Sequence, residues 1–506
     1  MLMTLYNNIF FLAISLKRIV GIFRDHPIIS TVITTIFFIT ILLIGIVIFF
    51  ENREPSKTAA WLLILILLPI VGFVFYIYFG QNFRKKRIFK KKDIIDEEEL
   101  DRMIEVQFRK VQDSSFFDDH DISPLKKLIS LLLKNSRSPF TINNRSKVLT
   151  NGKESFKEIF NAIHSAKDHI HIEYYIIKDD KVGNILRKLL ILKARKGVKV
   201  RFIYDGLGSR KLSKKYLRSL GEAGVEYAPF LPVKIPLLNS KLNYRNHRKI
   251  VIVDGHTGFI GGLNVGDEYW VGSDKLGFWR DTHFKIQGEA VYILQYIFLM
   301  DWYYASGKKI GEYKNYFPDH KYYGEELIQI AASGPDHPWE GIQQAYFTSI
   351  ATAQEKIYIE SPYFIPDESL LMALKTSALS GVDVRLILPD KPDHKIVFWA
   401  SRSYIGELLD AGVRVYLYNK GFLHAKILLV DGVVASVGTA NMDIRSFRLN
   451  FEVNALVYNR ETVARFEHDF FQDIEDSTEV ILEEFIKRPL WEKIKESLTR
   501  LFSPIL

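Results

Sequence analysis

An eight-residue pattern occurs twice in this chain, inside a longer repeat, and it leaves few folds open. His247-Arg248-Lys249-Ile250-Val251-Ile252-Val253-Asp254 and His424-Ala425-Lys426-Ile427-Leu428-Leu429-Val430-Asp431 share the form H-x-K-x4-D. Seven residues after each Asp stands a Gly and three further an Asn: Gly261 with Asn264, and Gly438 with Asn441. One such match is weak evidence, whereas two in register within an independent repeat are strong. The repeat extends upstream. His169-Ile170-His171-Ile172-Glu173-Tyr174-Tyr175 echoes Lys356-Ile357-Tyr358-Ile359-Glu360-Ser361-Pro362-Tyr363, and the run from Gly197 to Ile203 echoes that from Gly381 to Ile387. These alternating, β-rich stretches read as strands, with helical stretches between them. The pattern predicts α/β layers, and the duplication predicts two similar lobes facing one another across a pseudo-twofold.

The repeated residues suit a phosphodiester site. In an extended segment alternate side chains share a face, so His and Lys of each copy point the same way and the apolar run after them enters the core. Asp-Gly then turns the chain. Two copies brought together gather two imidazoles, two ammonium groups and two amides. One imidazole can attack phosphorus and the other can protonate the leaving oxygen. Lys249, Lys426, Asn264 and Asn441 can stabilise phosphate charge. This chemistry calls for no metal and no cofactor. With no cysteine in the chain, thiolate nucleophiles, cysteine zinc sites and Fe–S clusters are excluded.

The N-terminal part has a different composition. Residues 28–50 and 58–80 are apolar or hydroxyl-bearing runs, each long enough as a helix to cross the roughly 30 Å of a bilayer core. Pro69 interrupts the second, which membrane helices tolerate better than soluble ones. The charge-balanced connection from Glu51 to Lys57 reads as a hairpin turn. Lys17, Arg18 and Arg24 precede the first run, and seven bases between Arg84 and Lys92 follow the second. The positive-inside rule then places both ends in the cytoplasm and predicts a multi-pass protein of the cell membrane with its catalytic lobes on the cytoplasmic side. Residues 1–27 read as an interfacial helix. Residues 81–136 read as a basic and charged linker, 137–322 and 323–485 as the two lobes, and 486–506 as an amphipathic tail. The stretch from Phe230 to Leu238 reads equally as a loop dipping into a bilayer and as a packed connection. For the tail, with Ile494, Leu498, Leu501 and Phe502 at helical spacing, an interfacial helix and packing on the body are both open. The net charge of +9 favours anionic partners.

The duplicated motifs resemble the phospholipase D superfamily and, within it, the bacterial cardiolipin synthases. Further carriers of the resemblance are the twin N-terminal spans, Gly277-Phe278-Trp279-Arg280-Asp281-Thr282-His283, Arg445-Ser446-Phe447-Arg448-Leu449-Asn450-Phe451-Glu452, and the tail with Arg488-Pro489-Leu490-Trp491. The resemblance implies an α/β fold of duplicated lobes, with mixed sheets flanked by helices, and a phosphohistidine intermediate. It assigns the nucleophile to His247 and the acid/base to His424. Asp254 and Asp431 complete the motif set with His247, Lys249, His424 and Lys426, and the family pattern makes the two aspartates mainly structural. It points to Asp281 and Glu452 as the carboxylates that orient the histidines. Glu173 and Glu360, which match across the repeat, read as supporting residues without a defined role. The implied reaction joins two phosphatidylglycerols into cardiolipin and releases glycerol. Phosphatidylglycerol, other anionic phospholipid and the bilayer are the expected partners; nucleic acid is not, and the oligomeric state is left open. The competing readings are a membrane phospholipase D that hydrolyses, a transphosphatidylase using another alcohol, a nuclease and a silent membrane scaffold. The two spans oppose the nuclease, and the complete motifs oppose the scaffold.

Overall fold

The computed structural model describes residues 27–50, 62, 65, 97–112, 125–232, 243–319 and 321–503. Residues 1–88 and 89–506 form separate compact units. In the first, the first apolar run is helical over Pro27–Phe50. The Thr35 and Thr40 hydroxyls donate to carbonyls one turn back, which satisfies them within the helix. Counted over the described residues alone, no helix is long and apolar enough to cross a membrane. The expected interfacial helix over 1–27, nearly all of the second apolar run, the basic run 84–92 and most of the Phe230–Leu238 stretch lie outside the described residues.

The second unit holds the repeat as two mixed sheets. The first sheet runs Asn144–Thr150, Thr282–Gly288, Thr257–Gly261, Ile250–Val253, His169–Tyr174, Lys199–Asp205, Glu226–Phe230. The second runs Ile328–Ser333, Asn450–Val457, Val434–Gly438, Ile427–Val430, Lys356–Glu360, Asp383–Pro389, Arg414–Tyr418, and carries short edge strands besides. The seven positions correspond one to one, and in each sheet the last three strands are parallel and the rest antiparallel. The strands after the two motifs, Ile250–Val253 and Ile427–Val430, are wholly buried. Each sits mid-sheet with apolar side chains on both faces, as an uninterrupted Ile/Leu/Val run requires.

The segment read as a linker contributes to the fold. Leu128, Ile129, Leu132 and Leu133 of the helix Lys126–Asn135, and Val111 of Glu97–Gln112, lie in the same apolar cluster as Ile342, Ile350 and Leu374 of the second lobe. Phe140–Thr141 then pairs with Ile328–Gln329 at an edge of the second sheet, before the chain enters the first.

Asp254 and Asp431 do not join the site. Each follows its motif strand at φ 52°, with Gly255 and Gly432 also at positive φ, so the tight turn is made by the Asp-Gly pair. The Asp254 carboxylate accepts from the backbone N–H groups of Lys167, Asp168 and His169. Asp431 accepts from those of Gln354, Glu355 and Lys356. Their grouping with the motif His and Lys as candidate catalytic residues is therefore corrected: they tie the turn to the start of the neighbouring strand. Asp254→Ala is expected to cost about 2–4 kcal/mol of stability, through unsatisfied donors and a Cβ-bearing residue at positive φ without local hydrogen bonds. Asn, which keeps an acceptor and tolerates this conformation, is expected to cost about half that. Denaturant unfolding reads the difference; equal losses for Ala and Asn would contradict the capping role.

Candidate active site

Two crossed strand pairs build the site. Arg245–Asn246 of the first lobe runs parallel to Asn450–Phe451 of the second, and the His247 N–H donates to the Phe451 carbonyl at 3.0 Å. In mirror fashion Phe278–Arg280 runs parallel to Gly421–Leu423, and the His424 N–H donates to the Arg280 carbonyl at 2.7 Å. Each motif histidine is thereby placed against the residue that follows in the opposite lobe. His247 Nδ1 lies 3.0 and 2.9 Å from the two carboxylate oxygens of Glu452. His424 Nδ1 lies 2.7 Å from Asp281 Oδ2. The two carboxylates expected from sequence do reach the two histidines, each across the lobe boundary. A proton on Nδ1 facing a carboxylate leaves the lone pair on Nε2, the tautomer a nucleophile or general base needs.

The half-sites differ. The Glu452 carboxylate also accepts from the Thr439 hydroxyl at 2.6 Å and from Asn450 Nδ2 at 3.1 Å. Burial works to raise its pKa, but the His247 imidazole, the Lys249 ammonium and the Thr439 hydroxyl hold it below the ordinary value. The position matching Thr439 in the first lobe is Gly262, where a Cβ would meet Asp281 Oδ1 at 2.1 Å. Asp281 lacks that hydroxyl, and burial pushes its pKa up to about 6. Both histidines are buried and shifted down. Desolvation leads in each case, opposed by Glu452 for His247, which falls to about 4, and reinforced by Lys426 for His424.

Lys249 and Lys426 lie beneath the imidazoles. Lys249 Nζ donates to the His247 carbonyl at 2.6 Å, and Lys426 Nζ donates to the His424 carbonyl. Both ammonium groups act electrostatically on both imidazoles, so the four groups form one cluster. Burial lowers Lys249 to about 7 and Lys426 to about 8. An entering phosphate restores both charges. Between these values the empty site must gain one proton to bind an anion and above both it must gain two, so the KM for an anionic substrate is expected to rise with pH, by about tenfold per unit between pH 7 and 8 and approaching about a hundredfold per unit above. The maximal rate at saturating substrate changes less. A KM that is flat from pH 6 to 9 would remove this account.

Asn264 and Asn441 are both buried. Asn264 accepts from the Ile176 N–H at 3.2 Å and donates to the Tyr269 hydroxyl at 2.8 Å. Its amide is partly engaged within the first lobe. Among the described residues, Asn441 Oδ1 has no hydrogen-bond partner. Aromatic rings wall the site: Tyr175 lies 5.0 Å from His247, and Trp279 lies 5.7 Å from His424. Among the described residues no group of three or more His, Asp or Glu stands in a metal-binding arrangement.

Sequence reasoning missed the layer behind the histidines. Arg248 donates to the backbone carbonyl of Glu452 at 3.2 Å and pairs with Asp301. Arg280 donates to the carbonyl of Asp281 at 2.7 Å and to Asp473 at 2.6 Å. Each guanidinium thus holds the peptide of one orienting carboxylate. Glu173 and Glu360 stand beside Asp301 and Asp473 respectively. Burial and that neighbouring aspartate push each glutamate well above the ordinary carboxylate range. Their match across the repeat was the visible signal. The arginines gave none, because they occupy different positions: Arg248 corresponds to Ala425, and Arg280 to Phe451.

A duplicated mixed sheet with a histidine, a lysine and a crossed carboxylate in each half defines the phospholipase D superfamily. The family described as "Cardiolipin synthase, PLD-like domain" matches residues 159–302 and 346–474, and one described as "Phospholipase_D-nuclease N-terminal" matches 38–81. A cardiolipin synthase of Geobacillus sp. (strain WCH70) is 49% identical over 436 residues, 86% of this chain and 86% of that protein. The major cardiolipin synthase ClsA of Bacillus subtilis is 47% identical over 436 residues, 86% of this chain and 90% of that one. Among solved structures, the phosphatidylserine synthase of Haemophilus influenzae superposes with a TM-score of 0.57 at 15% identity, over 75% of this chain and all of the other, and shares the fold. The chain belongs to the family of bacterial cardiolipin synthases.

Proposed function

We infer that this chain is a membrane-anchored phosphatidyltransferase that joins two phosphatidylglycerols into cardiolipin and releases glycerol. The observation that carries the reading is the pair of half-sites, each with a histidine oriented from the opposite lobe, around two buried lysines. His247 Nε2 attacks the phosphorus of one phosphatidylglycerol. A P–N bond forms, the P–O bond to the headgroup glycerol breaks, and His424, which takes up a proton on Nε2 as the anionic phosphate binds beside it, gives that proton to the departing oxygen. Lys249, Lys426 and Asn441 stabilise the charge on the phosphoryl oxygens. His424 then takes the proton from a free headgroup hydroxyl of a second phosphatidylglycerol. That oxygen displaces His247 from phosphorus, and cardiolipin leaves. The asymmetry supports this order: the ionised, threefold-bonded Glu452 suits the histidine that becomes a phosphoryl-imidazolium, while the weaker acid-base partner Asp281 suits the one that shuttles a proton.

The two apolar runs, 28–50 and 58–80, would form a helical hairpin with both ends in the cytoplasm, where the basic flanks hold it. The helical backbone of Pro27–Phe50 and the N-terminal family match support this. The lobes would then work on the cytoplasmic leaflet. The test supplies the purified full chain, in mild detergent with a chelator, with phosphatidylglycerol alone. Glycerol and cardiolipin in equal amounts support the reading. Phosphatidic acid without cardiolipin would make it a hydrolase, and turnover only with an added alcohol would make it another transphosphatidylase.

A further inference from the structure

The C-terminal helix Leu490–Arg500 is packed with its polar side inward. Glu496, 2% exposed, accepts from Arg488 at 2.6 Å and from Arg402 at 3.4 Å. Glu492 also meets Arg402, Arg500 meets Glu407 at 2.6 Å, and the Tyr404 hydroxyl donates to Ser503 at 3.0 Å. Positions 492, 496, 500 and 503 follow the helical period, so one polar stripe fastens the segment to the second lobe. The opposite stripe carries Leu490, Trp491, Ile494, Leu498 and Leu501, and all five are exposed, Leu490 at 72% and Leu501 at 75%. A helix held against a globule ordinarily turns its apolar stripe to the core. Here ion pairs hold the helix and the apolar stripe points away, an arrangement that only a further apolar phase satisfies.

Charge indicates which phase. Lys493 and Lys495 flank the apolar stripe on its two sides, and Lys495 Nζ stands 4.0 Å over the Trp491 ring. Long basic side chains bordering an apolar stripe place their charges at the headgroup level when the stripe enters a bilayer. We propose that this stripe of the C-terminal helix is a docking face for the surface of an anionic bilayer, a contact separate from the N-terminal apolar runs. Its position relates it to catalysis. The helix rests on Lys395–Arg402, where Trp491 meets Trp399 at 6.0 Å. Phe398 and Arg402 of that helix line a cleft together with Tyr363, Asp393 and Phe422. The Phe422 ring is 6.1 Å from that of His424. A bilayer seated on the stripe therefore lies one helix away from a cleft whose wall includes Phe422, the ring beside His424. This functional consequence rests on the phosphatidyltransferase reading; the docking itself does not.

The chain has no cysteine, so one introduced cysteine takes a nitroxide at a unique place. The full chain carrying Leu498→Cys is labelled and reconstituted in vesicles containing phosphatidylglycerol, beside Glu222→Cys, an exposed position on the first lobe. The label at 498 is expected to be relaxed by oxygen and to collide with a water-soluble nickel chelate several-fold less than the label at 222. Equal collision rates with the chelate would overturn the proposal. So would spin–spin broadening at 498 that disappears on dilution with unlabelled chain, since a second copy would then cover the stripe. In parallel, Ile494→Glu/Leu498→Glu/Leu501→Glu is expected to lose most turnover of vesicle lipid and to keep that of a monomeric short-chain phosphatidylglycerol. Equal loss on both substrates, or none on either, counts against the docking face. The nitroxide measurement needs no turnover, so it judges docking even where the catalytic reading fails.

Discussion

Replacing either His247 or His424 with Ala is expected to lower turnover of phosphatidylglycerol by about 10^5-fold or more, with the double variant no slower than the single ones. In the proposed mechanism the two imidazoles act on one phosphorus in sequence. Without His247 there is no P–N bond to form. Without His424 the departing glycerol oxygen gets no proton, and the second lipid's hydroxyl is not activated. Groups that act as a unit show this strong non-additivity. The two losses are separable by leaving group. With a phosphodiester whose leaving phenolate needs no proton, His424→Ala forms the phosphoenzyme and stalls there, while His247→Ala forms none. Acid-quench trapping of labelled enzyme distinguishes the cases. Phosphoenzyme in His247→Ala and none in His424→Ala would reverse the assignment, and activity near wild type in either variant would end the paired-histidine chemistry.

Glu452→Gln is expected to cost about 10^3–10^4-fold in kcat with little change in KM, and Asp281→Asn to cost a comparable or smaller factor. An amide can donate to Nδ1, which moves the imidazole proton to Nε2 and removes the lone pair aimed at the substrate. The larger effect falls on Glu452, which meets its histidine through both oxygens and is itself held by Thr439. Because the partners lie in opposite lobes, Glu452→Gln disables the histidine of the first motif and Asp281→Asn that of the second. The leaving-group experiment reads this crossing directly. Asp281→Asn is relieved by the phenolate substrate and Glu452→Gln is not; relief of Glu452→Gln alone would contradict the geometry.

Much of this was legible in the sequence, for reasons of spacing. The motif strands, the Asp-Gly turns and the repeated β-stretches obey local periodicities, and the sheets reproduce them. What motif adjacency hid was distance. Asp254 is seven residues from His247, roughly 20 Å along an extended chain, so it caps the far end of the same strand. The crossing of Asp281 and Glu452 depends on Arg245–Asn246 pairing with Asn450–Phe451, and on Phe278–Arg280 pairing with Gly421–Leu423. No pattern within one lobe encodes such long-range pairings. Residues 81–136 read as a linker because charged residues dominate the composition. Leu128, Ile129, Leu132 and Leu133 kept the helical spacing that would have marked a buried face.

The unequal placing of the two arginines bears on the ancestry of the chain. If two copies of the first lobe paired, each half-site would receive both Arg248 and Arg280, two guanidiniums crowding the place that one fills. If two copies of the second lobe paired, Ala425 and Phe451 would supply none, and the buried Glu360 and Asp473 would face each other without a cation. Only the unlike pairing gives each acidic pocket its single arginine. The duplicated halves have thus diverged at this layer: the first lobe supplies both arginines, one to its own acidic pocket and one to that of the second lobe.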